Sequence, residues 1–254
     1  MVLVTVNGVK RLIAPGSDWP VASGDQAKWG IPSVLVALLM AQVGAIFWFS
    51  AIASLLYGSD PIPSADSRPI WTLLVFNAGL WLAYFFGPII VKRYSESGPL
   101  LDFNLGITLR EAAVAIALGV GTQLAVLPAL YWVLLRFVSG DPSESAIALT
   151  DRVDGTLDLA LVSFAVVIVA PIVEEWFYRG FVFSTLARRI GVLGAAGVSS
   201  ALFALVHLEA ILLPGLFVLA LLLCWITVRS AKIGPAILAH MAFNATTVVQ
   251  LLVL

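Results

Sequence analysis

The chain has 254 residues, 61% of them apolar and 11% charged, with a formal net charge of −1 and a mean hydropathy of +1.02. Soluble domains average about 45–50% apolar and about 25% charged residues. The balance here excludes a disordered chain, an ordinary soluble globule and a nucleic-acid binder with a basic face, and it requires a lipid bilayer. The single cysteine, Cys224, excludes an intrachain disulfide.

In chain order, residues 1–30 are expected to form a cytoplasmic N-terminal segment. Lys10, Arg11, Asp18, Asp25 and Lys28 interrupt it, and it lacks the long apolar stretch and small-residue cleavage site of a secretory signal. A spanning helix needs roughly 20 mostly apolar residues. Ile31–Tyr57, Pro69–Val91 and Ala112–Leu135 carry no formal charge and predict three spans. Leu157–Ala187 predicts a fourth, interrupted by Glu174, Glu175 and Arg179. Ile190–Val206, extendable through His207 to about Leu213, predicts a fifth, and Ala210–Val228 and Ile233–Leu254 complete the set. The expected fold is all-α, a polytopic integral membrane protein of about seven transmembrane helices, or six if two neighbouring segments merge.

The turn-rich stretches Gly58–Arg68 and Gly140–Gly155 carry Pro, Ser, Asp and Gly and read as loops. With the N-terminus inside, ten of the 14 Lys and Arg side chains fall on the cytoplasmic side, Arg110, Arg188, Arg229 and Lys232 among them. Arg68, Arg136 and Arg152 fall on the other. That asymmetry predicts a multi-pass protein of the cytoplasmic membrane with a cytoplasmic N-terminus. The loop near residue 150 divides the chain by character. Residues 31–150 form accessory helices whose three spans carry only neutral polar groups such as Gln42, Asn77 and Gln123, which read as interhelix glue. Residues 151–254 hold nearly all the ionisable groups at membrane depth and form the expected core.

An ionisable residue in hydrocarbon costs at least ~2.5–3.5 kcal/mol on insertion scales and marks a functional site by default. Glu174 lies ~25 Å along a fourth helix of ~46 Å, near its middle. Arg179 follows Glu175 by one turn and can pair with it, while Glu174, displaced by ~100° around the helix, faces elsewhere. His207 is expected ~24 Å into the fifth span. His240 and Asn244 stand at i and i+4 on one face of the seventh. The two histidines of the chain thus both fall inside predicted spans. Trp176, Phe177 and Tyr178 read as packing and interface anchors, and Glu209 as a residue near the outer interface. Taken singly, each polar residue has a structural explanation: Glu175 with Arg179 as an ion pair, a histidine or asparagine as a packing hydrogen bond worth ~0.6 kcal/mol. Packing gives no reason for all of them to occur together on three helices.

A carboxylate and an imidazole converging on one water form a general-base system, and a second imidazole with a carboxamide supplies donors to a developing oxyanion. The same Glu174, His207 and His240 offer a zinc-ligand set with an open position, although the His-Glu-x-x-His helix signature is absent. The residues alone leave both chemistries open. Two other classes also use such groups: a proton-coupled transporter with buried Glu and His relays, and a catalytically silent immunity or scaffold protein that only binds a partner.

Glu174-Glu175-x-x-x-Arg179-Gly180, Phe203-x-x-x-His207 and His240-x-x-x-Asn244 resemble the three motifs of the CAAX protease and bacteriocin-processing family. These are intramembrane endopeptidases related to the type II CAAX prenyl protease and formerly grouped as abortive-infection proteins. The resemblance covers about Leu157 to Val249. It implies that Glu174 takes a proton from the hydrolytic water, that His207 helps to hold that water, and that His240 and Asn244 bind the carbonyl oxygen as it becomes negative. Glu175 and Arg179 would support and orient the first carboxylate. It implies a peptide or protein substrate at the membrane, the bilayer itself as partner and no nucleic acid. Zinc is the one cofactor to test, because the family has been described both as metalloproteases and as glutamate-dependent proteases. The compact chain and short loops look bacterial, where prenylated substrates are not expected.

Overall fold

The computed structural model describes residues 31–64, 67–94 and 105–253; the expected cytoplasmic segment 1–30 lies outside the described residues. Helix α1 is Ile31–Tyr57 and α2 is Ile70–Tyr94. Helix α3 runs Leu109–Leu134, and a short helix α4, Glu144–Thr150, follows in the loop. The next helical run is Gly155–Leu205, 51 residues long. It breaks at Gly191, whose φ of 76° and ψ of 164° only glycine adopts without strain. We therefore treat it as α5 (155–190) and α6 (192–205). Helices α7, Leu213–Ser230, and α8, Gly234–Val253, complete the bundle.

Among the described residues, six helices are long and apolar enough to cross a membrane when Gly155–Leu205 is taken as one; divided at Gly191 it supplies two of seven rods. The protein is all-α and multi-pass, as its composition requires. The fifth rod is shorter than its sequence suggests. Helix α6 ends at Leu205, so at ~1.5 Å per residue it rises about 20 Å, less than the ~30 Å hydrocarbon thickness. A non-helical turn over 206–212 comes next. It is tied to the loop side of the bundle: Tyr131 Oη donates to the Ile211 carbonyl at 2.9 Å, and Ser145 on α4 donates to Glu209.

Burial follows the helical period. On α1 the stripe Val34, Ala37, Leu38 and Ala41 is buried while Leu39, Met40 and Phe47 face outward. That stripe joins Phe177, Phe181, Phe183 and Leu186 of α5 and Phe203 of α6 in the main core. A second core joins Ala115 of α3 to Leu219 and Leu223 of α7 and to Ala236, Ala239 and Phe243 of α8. Helices α3 and α8 approach so closely at Gly119 that an added Cβ would overlap the Ala239 carbonyl oxygen. A helix from the first half of the chain thereby sets the position of the backbone one residue before His240.

Candidate active site

The site is built on irregular helix. Helix α5 contains two π-helical stretches, Ala165–Val169 and Trp176–Phe183, with the doublet Glu174-Glu175 in the six-residue α segment between them, Ala170–Glu175. Such bulges arise where the i→i−4 ladder is disturbed and often lie at functional sites. Here Pro171 is the disturbance, since it has no N–H and its ring crowds the preceding turn. The Ala170 N–H bonds to the Ala165 carbonyl, five residues back. That leaves the Val166 carbonyl without its usual donor, and the residue one further along, Pro171, has none to offer. The Asn244 side chain supplies it: Nδ2 donates to the Val166 carbonyl at 2.7 Å. Asn244 thus fastens α8 to α5 one bulge away from the doublet.

The two glutamates have different environments. Glu175 is fully buried and accepts on Oε1 from Arg179 Nη1 at 2.8 Å, the i, i+4 pair that the spacing predicts. Arg179 Nη2 donates onward to the Ala220 carbonyl of α7 at 3.2 Å, and its guanidinium lies 4.9 Å from the Phe203 ring centroid. The neighbouring Glu174 keeps 17% of its side chain accessible, so the carboxylate without the arginine is the one a water or substrate can reach.

His240 sits between them. Its Nδ1 is 3.1 Å from Glu175 Oε1, and since a carboxylate only accepts, Nδ1 is the protonated nitrogen of that bond. Its Nε2 lies 3.9 Å from Glu174 Oε2, beyond hydrogen-bond distance. The edge of the imidazole therefore faces the accessible carboxylate across a short gap. Glu174, Glu175, Arg179 and His240 form one cluster drawn from two helices 65 residues apart in sequence at the Glu175–His240 contact.

His207 is placed differently from expectation. Sequence spacing puts it deep inside a fifth span, whereas it stands in the turn after α6 and is exposed. Its Nδ1 donates to the Phe203 carbonyl at 2.8 Å, leaving Nε2 free, and its ring lies 5.0 Å from that of Phe203. The helix stops early because the backbone turns at Leu208, which takes a positive φ of 58°, a change that hydropathy does not register. Asn244 stands on the same helix as His240 and directs one N–H of its carboxamide to the backbone of α5.

Sequence reasoning gave no role to two participants. Phe203 is the common wall of the cluster, its ring 5.2 Å from Tyr178 and 5.9 Å from His240. Tyr84 of α2 bonds to Tyr178 through the two hydroxyls at 3.0 Å and accepts from Gln42 Nε2 of α1 at 3.3 Å. Gln42 is glue, as its sequence context suggests, but the hydroxyl it meets leads from α1 and α2 to the residue before Arg179. Tyr84 lies in a span without charges, so no residue near it signalled the contact. Trp176 is an anchor as expected, its indole donating to the Phe85 carbonyl at 3.2 Å.

For a metal, the donors to test are Glu174, His207 and His240. Among the described residues no three His, Cys, Asp or Glu side chains are gathered into a set that could hold an ion. His240 Nδ1 is engaged by Glu175 and His207 Nδ1 by a carbonyl.

Residues 156–246 match the family model described as type II CAAX prenyl endopeptidase Rce1-like. The protein of Bacillus subtilis (strain 168) described as "Putative membrane peptidase YdiL" is 25% identical over 187 residues, 72% of each chain. No solved structure matches. The matched segment contains Glu174, Glu175, Arg179, His207, His240 and Asn244, and it runs through α5 to α8, the helices that carry the cluster. The chain is a multi-pass membrane protein whose residues 156–246 are similar to the type II CAAX prenyl endopeptidase Rce1-like family.

Proposed function

We propose that the protein is an intramembrane endopeptidase that hydrolyses a peptide bond of a membrane-associated peptide or protein, with Glu174 as general base. One observation carries this reading: Glu174 is the accessible member of a carboxylate pair whose other member is locked in a buried ion pair, and an imidazole edge faces it at 3.9 Å. A water between Glu174 and the free Nε2 of His207 would give its proton to Glu174 while its oxygen attacks the carbonyl carbon. The new C–O bond places negative charge on the carbonyl oxygen. His240, held through Nδ1 by Glu175, donates from Nε2 when that nitrogen also carries a proton. Collapse breaks the C–N bond, Glu174 returns the proton to the leaving nitrogen, and the products are an amine and a carboxylic acid that then ionises.

In this scheme Glu175 and Arg179 are positioning residues that hold the His240 ring, and Asn244 holds the stretch of α5 that carries the doublet. Its second N–H remains for the oxyanion role that the family resemblance implies.

The test is cleavage of a fluorogenic membrane-peptide library by the purified protein in proteoliposomes. Glu174→Gln keeps the shape and removes the base, so turnover should fall ~10²–10⁴-fold. Turnover equal to that of the unaltered protein overturns the proposal. Solute uptake driven by a pH gradient, without cleavage, would favour a transporter instead.

A further inference from the structure

A second polar feature lies where α3 begins, α7 ends and α8 begins, at Leu109, Ser230 and Gly234. The charge asymmetry of the loops assigns this boundary to the cytoplasm. Between the helix ends is a cavity of about 440 Å³. Thr108, Arg110, Glu111, Arg229 and Ser230 line its rim, and Val114, Leu118, Trp225 and Ile226 form a wall that continues along the helices. It shares no lining residue with the Glu174–His240 cluster, so a ligand bound there is independent of the peptidase reading.

The charge on that rim is unbalanced. Glu111 is taken by Lys232, whose Nζ lies 3.0 and 2.9 Å from its two oxygens. The same carboxylate accepts from the Thr108 N–H at 2.8 Å and closes the capping box of α3. Arg110 and Arg229 are exposed and have no ion pair or hydrogen bond among the described residues. The amino end of α3 adds the positive end of a helix dipole, and the carboxyl end of α7 offsets it. The two guanidiniums are therefore the anchors.

The change from polar rim to apolar wall distinguishes among anions. A soluble phosphate or a peptide carboxylate would use the rim alone. A phospholipid uses both, its phosphate matching the planar forks of the arginines and an acyl chain covering the wall. Trp225, 52% exposed, stands one turn from Arg229, the interfacial height that tryptophan favours. We propose that this cavity binds an anionic phospholipid of that leaflet, with its phosphate between Arg110 and Arg229 and one acyl chain along Val114, Leu118 and Trp225.

Native mass spectrometry of the delipidated full-length protein, offered phosphatidylglycerol and chain-matched phosphatidylcholine, tests this. Two guanidiniums at a membrane surface should favour the anionic lipid on the order of 10–30-fold. R110Q/R229Q should bring the two lipids to parity. Leu118→Trp, which keeps both charges and fills the wall, should lower retention of both. Equal retention of the two lipids by the unaltered protein, or an unchanged preference in R110Q/R229Q, overturns the proposal. So does displacement of bound lipid by soluble glycerol phosphate at equal concentration, which would mark a site for the phosphate group alone. If the double variant loses its helical circular dichroism, R110Q and R229Q singly and Leu118→Trp carry the same test, each single arginine change lowering the preference several-fold.

Discussion

The Asn244 carboxamide donates to the Val166 carbonyl at 2.7 Å, the carbonyl that the π-bulge and Pro171 leave without a main-chain donor. A residue on the last helix thereby completes the hydrogen bonding of the helix that carries Glu174 and Glu175. Asn244→Ala should lower stability by ~1–3 kcal/mol, the range for an unpartnered buried polar group. Pro171→Ala returns an N–H within reach of the Val166 carbonyl, so the double variant should lose less than the sum of the two single changes. A double-mutant cycle on the apparent unfolding midpoint in detergent measures this; strict additivity would deny the link.

Glu175 and Glu174 should separate cleanly in their effects. Removing one partner of a buried ion pair costs about 3–5 kcal/mol, so Glu175→Ala, which strands Arg179 and releases His240, should strongly depress the unfolding midpoint. Glu174→Gln should leave the midpoint nearly unchanged while lowering turnover ~10²–10⁴-fold. Arg179→Lys should fall between, because lysine restores a charge but not the fork that reaches both Glu175 and the Ala220 carbonyl.

Gly119 permits the backbone contact between α3 and α8. A methyl group there meets the Ala239 carbonyl and the Ala242 side chain, neither of which is a flexible tip. Gly119→Ala should destabilise by ~1–3 kcal/mol, the usual range for overpacking. It should also lower kcat more than it raises KM, because the residue displaced is the neighbour of His240. A variant with the unaltered midpoint and turnover would show that α8 is positioned by other contacts.

Among the described residues no three His, Cys, Asp or Glu side chains gather around one position; on the general-base reading, peptide cleavage should survive dialysis against a chelator, with metal well below one equivalent by elemental analysis. One equivalent of zinc, with cleavage lost on chelation and restored on its return, would instead make ligands of His207 and His240.

The sequence by itself determined the class of the protein and the identity of its polar residues. Apolar content and the length of uncharged runs settle a spanning helical bundle, since lipid admits only helices and closed barrels and barrel strands alternate apolar with polar residues in short segments. The i, i+4 spacing of Glu175 and Arg179 is a local property, so their pairing was legible too. The tertiary structure decided which glutamate stays accessible, where α6 stops, and what Asn244 touches. Each of these depends on contacts between helices far apart in the chain: His240 against Glu175, Tyr131 holding the turn after α6, and the Val166 carbonyl left open by Pro171. Hydropathy reads such helices as uniform rods. The π-bulge that precedes the glutamate doublet comes from a missing N–H at Pro171, and the group that satisfies the freed carbonyl stands 78 residues away, at a distance along the chain that no local pattern spans.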